Sequence, residues 1–280
     1  MTHSFRQVDV FGSGPCTGNP VAVVLDAEGI DEETMRTFSI WSNLSECTFV
    51  LPPTDPGADY RVRIFALGTE LPFAGHPTLG TARAWLDAGG VPREEGLVVQ
   101  ECAAGLIPVR IEDEVLAFGA PPRIRSGAVE PELLTSVIEI LGVDPSCVVD
   151  AEWLDNGPGW VGVLLDSAQT VLDLNPDVSG HEGAWKIGVI GAQDADADTD
   201  FELRAFFGQE SGSMREDPVT GSLNAAAAQW LTVTGRAQAP YRAAQGTAIG
   251  RRGRVFISSS DETLWVGGRA EVVLSGTATL

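Results

Sequence analysis

The chain has 280 residues, of which 44% are hydrophobic, and it carries 39 acidic against 18 basic side chains for a formal charge of −21 at pH 7. That apolar content supplies the core of one large or two medium domains and excludes a disordered chain. The charge excludes general attraction to nucleic acid or to anionic membrane, yet a small anionic ligand can still be held by helix N-termini and a few arginines.

No basic segment followed by an apolar one opens the sequence, and no apolar run reaches membrane-spanning length, so a cytoplasmic protein is expected. Cys16, Cys47, Cys102 and Cys147 are scattered, without a C-x-x-C pair or neighbouring histidines. Structural zinc and redox chemistry are therefore not expected. His3 is read as a frayed terminal residue.

The first elements in chain order are two strands joined by a glycine-rich tip from Gly12 to Pro20. The glycines there precede Asn19-Pro20 and a β-branched run rather than a helix, so a dinucleotide loop is excluded. Asp31 is a candidate N-cap for a helix over Glu32–Trp41. Leu44–Leu51 reads as a strand whose alternation sets Glu46, Thr48 and Val50 on one face and Cys47 and Phe49 on the other. Glu46 is either an edge-strand charge or a half-buried carboxylate able to exchange protons near neutrality.

Tyr60–Phe65 is the next strand, and a turn containing Gly75-His76-Pro77 opens an alanine-rich helix to about Leu86. Strands over Leu97–Glu101, Leu106–Ile111 and Leu116–Phe118 complete a first unit, and Gly119–Gly127 reads as a linker. A second unit follows: a helix over Glu132–Leu141, strands over Trp160–Leu165, Lys186–Ile190 and Phe201–Phe206, and a helix over Ser222–Leu231. The acidic tract Asp194–Asp200 is expected to be a solvated loop. Further strands are predicted over Thr247–Ile249, Arg254–Ser258, Leu264–Gly268 and Ala270–Leu274. Many strands around few central helices predict an α+β fold in which a curved mixed sheet wraps a helix.

The halves look alike, and two anchors align them differently. Matching Pro77–Gly80 to Pro218–Gly221 gives an offset of 141 and opposes His76 to Asp217, whereas matching Trp85 to Trp230 gives 145 and nearly opposes His76 to Ser222. Either register places a glycine-opened helix start in each half, a seat for a carboxylate. Glu46, His76, Asp217 and Ser222 are the candidates for chemistry. His76 reads equally as a packed core histidine, and Asp217 as a turn or cap residue; Ser222 reads as a cap, because G-x-S-x-G is absent. Two carboxylates with one histidine, no metal cluster and no nucleotide loop suit proton abstraction and return without a cofactor.

Val8–Phe11, Gly18-Asn19-Pro20, Asn43-Leu44-Ser45-Glu46, Glu70–Gly80, Asp155–Trp160 and Glu216–Ser222 together resemble the PhzF family of phenazine biosynthesis-like proteins. The resemblance implies a duplicated diaminopimelate-epimerase-like fold, with domains over residues 1–119 and 120–280, the last strand returning to the first domain. It also implies a homodimer and an active site between the halves. Glu46 falls on the family's proton-carrying glutamate, and His76 and Asp217 on its other catalytic positions. Gly75, Gly221 and Ser222 are similar to its substrate-carboxylate positions. Ala66–Gly68 and Leu223-Asn224 depart from the family pattern where substrate contacts are expected, which leaves the substrate open. The function expected is a cofactor-independent isomerase of a small carboxylate. The alternatives are an epimerase or racemase of an amino or hydroxy acid, and a non-catalytic small-ligand binding protein.

Overall fold

The chain opens in a nine-residue strand, β1 (Thr2–Val10), in the computed structural model, which describes residues 1–208, 212–261 and 263–280. His3 lies inside this strand, is 7% exposed and sits with Nδ1 2.8 Å from the Asp26 carbonyl. It is therefore packed and not frayed. β1 pairs antiparallel with β2 (Asn19–Val24), and the Asp9 carboxylate accepts the N–H groups of Thr17 and Gly18 at 3.0 Å. This buried carboxylate, 4% exposed, shapes the glycine-rich tip. A helix, α1 (Glu32–Ser42), follows, capped by Asp31, which accepts from Thr34 N–H at 2.8 Å.

β3 (Glu46–Leu51) runs parallel to β2 and antiparallel to β4 (Tyr60–Ala66), so it is an interior strand. The edge-strand reading of Glu46 fails on this pairing. Cys47 and Phe49 pack with Met35 and Phe38 under α1, which leaves Glu46, Thr48 and Val50 for the opposite face. β5 (Thr69–Leu71) folds back on β4 and leads into α2 (Gly75–Asp87), followed by β6 (Leu97–Cys102), β7 (Gly105–Glu112) and β8 (Val115–Gly119). The first compact unit comprises Met1–Gly119 and Gly267–Leu280. Within it the strands run β1-β2-β3-β4-β6-β7-β8, and the final strand, described below, pairs with β1 and neighbours β8. The sheet closes around α2, which meets β1, β2, β3, β6, β7 and β8. Gly80 lets the helix lie close to β2: a Cβ there would sit 2.2 Å from Val21 Cγ1.

The second unit is Ala120–Val266. It begins with α3 (Pro131–Leu141), β9 (Val148–Trp153), β10 (Val161–Leu165) and α4 (Ala168–Asp173). Then come β11 (Trp185–Ala192), β12 (Phe201–Gly208), β13 (Met214–Asp217), α5 (Gly221–Val233), β14 (Tyr241–Gln245), β15 (Gly253–Ser260) and β16 (Thr263–Thr279). Ile187, Val189 and Phe206 pack with Val137, Ile140, Val171 and Leu174 of the α3–α4 layer. The opposite face of β11 carries Gly188, where a Cβ would meet Leu223 of α5 at 2.2 Å. α5 is buried along nearly its whole length, which its run of alanines permits.

Further sequence expectations are revised by the strands and helices themselves. Thr247–Ile249 is a 3-10 turn between left-handed Gly246 and Gly250, and the strand lies upstream at Tyr241–Gln245. Leu264–Gly268 and Ala270–Leu274 are one strand of 17 residues. β9 and α4 are added, one too acidic and one too short to show a periodicity. Part of the Gly/Ser-rich stretch after β12, residues 209–211, lies outside the described residues.

Pairing directions repeat between the units. β1–β2 and β9–β10 are antiparallel, β2–β3 and β10–β11 parallel, β3–β4 and β11–β12 antiparallel, β4–β5 and β12–β13 antiparallel, and β4–β6 and β12–β14 parallel. The fold is a duplicated α+β architecture, each half a mixed sheet with one central helix.

Candidate active site

The repeat fixes which residues correspond. Ile64 pairs with Leu71, as Ala205 pairs with Asp217, and α2 and α5 are both 13 residues long, opening at Gly75 and Gly221. β4 and β12 therefore align at an offset of 141, whereas β5–α2 and β13–α5 align at 146, with the five extra residues in the connection after β12. Glu70-Leu71-Pro72-x-x-Gly75-His76 then lies over Glu216-Asp217-Pro218-x-x-Gly221-Ser222. Opposing His76 to Asp217 is wrong; His76 corresponds to Ser222, and Asp217 to Leu71. The Pro-x-x-Gly match used in the sequence was a chance anchor, and the signal that would have exposed it is the shared Glu-x-Pro-x-x-Gly. By the same register Glu46, one residue before Cys47, stands where Lys186 stands before Ile187. Lys186 is the only lysine in the chain and was not among the sequence candidates.

In the first unit Glu46 and His76 come together. Glu46 opens β3 with its side chain 18% exposed, and His76, the second residue of α2, places Nδ1 3.4 Å from Glu46 Oε2. The imidazole is almost wholly buried, and loss of water pushes its pKa from 6.5 down to about 3, opposed only in part by a hydrogen bond to the backbone of Pro20. His76 is thus neutral at physiological pH, and its contact with Glu46 is not an ion pair. Its Nε2 is buried without a hydrogen-bond partner among the described residues.

The second unit brings Asp217, Thr220, Gly221, Ser222, Asn224 and Gln245 together. Thr220 donates its hydroxyl to Asp217 Oδ2 at 2.6 Å, so the residue at the N-cap position spends its side chain on the carboxylate. Gln245 is fully buried; its Nε2 donates to Thr220 Oγ1 at 2.9 Å and to the Asp217 carbonyl at 3.2 Å. Its Oε1 accepts from Thr220 N–H at 3.0 Å and Asn224 Nδ2 at 2.8 Å. A buried glutamine holds the first turn of α2 too: Gln100 donates to Thr78 Oγ1 at 2.9 Å and accepts from the Tyr60 hydroxyl at 3.1 Å. Neither glutamine was foreseen, because nothing local in the sequence marks a strand residue that reaches a helix start.

Neither central helix carries a side-chain cap, whereas α1 and α4 are capped by Asp31 and Ser167. The N–H groups at an uncapped helix start are oriented for an anion, and the helix dipole reinforces it. Gly75 and Gly221 open those turns without a side chain in the way. The chemistry on hand is a carboxylate beside a neutral imidazole in one unit, and a second carboxylate beside an uncapped helix start in the other. No cluster of three or more metal-ligating side chains occurs among the described residues, and none of their helices is long and apolar enough to cross a membrane.

The family profile described as phenazine biosynthesis-like protein matches residues 8–280. The chain is 33% identical over 293 residues to antisense-enhancing sequence 1 of Schizosaccharomyces pombe, covering 98% of each. It is also 33% identical over 265 residues to the trans-2,3-dihydro-3-hydroxyanthranilate isomerase of Pseudomonas aeruginosa, covering 91% of this chain and 89% of that protein. Among solved structures it is similar to a PhzF family protein of Enterococcus faecalis, with a TM-score of 0.80, 24% identity and full coverage of both chains.

Proposed function

This chain belongs to the PhzF family of phenazine biosynthesis-like proteins, and we propose on that premise that it is a cofactor-independent isomerase of a small, cyclic carboxylate. Glu46 takes a proton from one carbon and returns it to another. His76, held neutral, accepts a hydrogen bond at Nε2 and so orients the substrate; an imidazolium could not accept there. Asp217 and the starts of α2 and α5 are assigned to the same reaction, the aspartate as a polarising group and Gly75, Gly221 and Ser222 as the holders of the substrate carboxylate. The observation that carries the reading is the meeting of Glu46 and His76, 3.4 Å apart, at the uncapped start of α2. We further assign it the homodimeric state expected of the family, for which light scattering should return twice the monomer mass.

The test is incubation in D2O with trans-2,3-dihydro-3-hydroxyanthranilate and a panel of cyclic and amino carboxylates, followed by NMR and absorbance. An isomerase shifts a double bond, changes absorbance and leaves deuterium at the receiving carbon. Deuterium at a single stereocentre with loss of optical rotation would make it an epimerase or racemase. Binding without any exchange would make it a binding protein.

A further inference from the structure

The loop from Asp155 to Trp160 is built to reach the second residue of α5. Asp155 Oδ1 accepts the N–H groups of Gly157 and Gly159 at 2.8 Å, and both glycines have positive φ, 135° and 83°, which side-chain-bearing residues rarely adopt. Leu154 N–H closes the loop on the Trp160 carbonyl at 2.9 Å. Two side chains then converge on Ser222: Asn156 Nδ2 donates to its carbonyl at 2.9 Å, and Trp160 Nε1 donates to its hydroxyl at 3.0 Å. Trp160 is itself fixed, fully buried and edge-on to Phe207 at 4.8 Å between ring centroids.

An indole N–H can only donate, so the Ser222 oxygen is the acceptor of this bond. The hydroxyl proton has no acceptor among the described residues, and Ser222 is half-buried at the uncapped start of α5. The other unit does the equivalent from the backbone: His76, the residue corresponding to Ser222, bonds to Pro20 at the start of β2.

We propose that Trp160 is a specificity-determining positioning residue: by filling one of the two acceptor sites of the Ser222 hydroxyl it biases that hydroxyl towards donating, so the start of α5 favours a ligand group that accepts, a carboxylate or oxyanion. Asn156 fixes the backbone of the same residue. The proposal rests on the reading of Ser222 as a substrate-holding residue, and it adds why that serine discriminates and which residue makes it do so.

The test uses 3-hydroxyanthranilate and its carboxamide as probes, with affinities measured by calorimetry for the wild type, Trp160→Phe, Ser222→Ala and the double variant. The wild type should bind the carboxylate at least about tenfold more tightly than the amide, in the range of a charge-assisted hydrogen bond. Trp160→Phe should lose about tenfold in carboxylate affinity and most of the discrimination. Ser222→Ala should lose as much, and the double variant no more than Ser222→Ala alone. A role in packing alone would weaken binding again in the Ser222→Ala background, and that additivity would overturn the proposal. Equal wild-type affinity for acid and amide would overturn it too, even where Trp160→Phe does not fold. Wild-type protein that binds neither probe would overturn it along with the carboxylate reading, a result distinct from the other two.

Discussion

His76 shows what burial does to one side chain. In the unfolded chain the imidazole titrates near 6.5, whereas in the fold its pKa lies near 3 because the charged form would be stripped of water. Above pH 6.5 both states are neutral and the residue leaves stability unaffected. Between 6.5 and 3 the unfolded chain binds a proton that the folded one refuses, so stability falls as pH falls, by about 1.4 kcal/mol for each pH unit attributable to this residue. Chemical denaturation at pH 7.5 and 5 should therefore show a smaller acid loss for His76→Gln than for the wild type. Equal losses would mean that the ring is hydrated in the native protein. Sequence alone leaves this residue between core packing and chemistry; burial shows that it is packed, and its Nε2 has no hydrogen-bond partner among the described residues.

Each half contains an element-level clamp, and the two differ in burial. In the second unit Arg204 of β12 binds Glu216 of β13 through Nε and Nη2 at 3.1 and 2.7 Å, and its Nη1 donates to the Val171 and Leu174 carbonyls at the end of α4. In the first, Arg63 of β4 binds Glu70 of β5 at 2.7 and 2.6 Å, with side chains 26% and 35% exposed against 7% and 9% for the other pair. Removing one member of a buried pair strands a charge, so Arg204→Met should cost about 3–5 kcal/mol, while Arg63→Met should cost about 1 kcal/mol or less. Urea denaturation of both variants decides this, and similar costs would contradict it. Glu216 precedes Asp217, so the clamp also fixes the approach to the candidate site.

Most elements with a strong period were legible in the sequence, because alternation and capping are local. α1 is predicted to within a residue, and the faces of β3 follow from alternation. β14 is not legible: Tyr-Arg-Ala-Ala-Gln has little strand propensity and is made a strand by pairing with β12 and β15. The sequence leaves the correspondence of the halves open between offsets of 141 and 145 for a related reason, and the second lies within one residue of the register of the helix starts. Five residues added after β12 shift the register between strand and helix, so no single offset aligns both, and only the ladder pairs Leu71 with Ile64 as Asp217 with Ala205.

For the whole molecule, a charge of −21 implies self-repulsion in the folded chain. Salt screens it, so the melting temperature should rise between low salt and about 0.3 M NaCl at pH 7.5. An unchanged or falling value would show that specific ion pairs such as Arg204–Glu216 dominate instead. The duplication also accounts for the chemistry offered. One scaffold used twice supplies two helix starts, and divergence at three corresponding positions, Glu46 against Lys186, Leu71 against Asp217 and His76 against Ser222, makes the halves chemically unlike. Under the proposed function, that divergence supplies the unlike groups that acid/base work on an asymmetric substrate requires.

In the proposed reaction Glu46 carries the proton. The most direct measurement is solvent deuterium incorporation, by NMR in D2O, into whichever carboxylate of the panel the wild type turns over, compared with Glu46→Gln at matched folding and ligand affinity. Loss of incorporation by about a hundredfold or more with binding retained is the predicted result. Incorporation by Glu46→Gln at the wild-type rate would exclude Glu46 as the proton carrier.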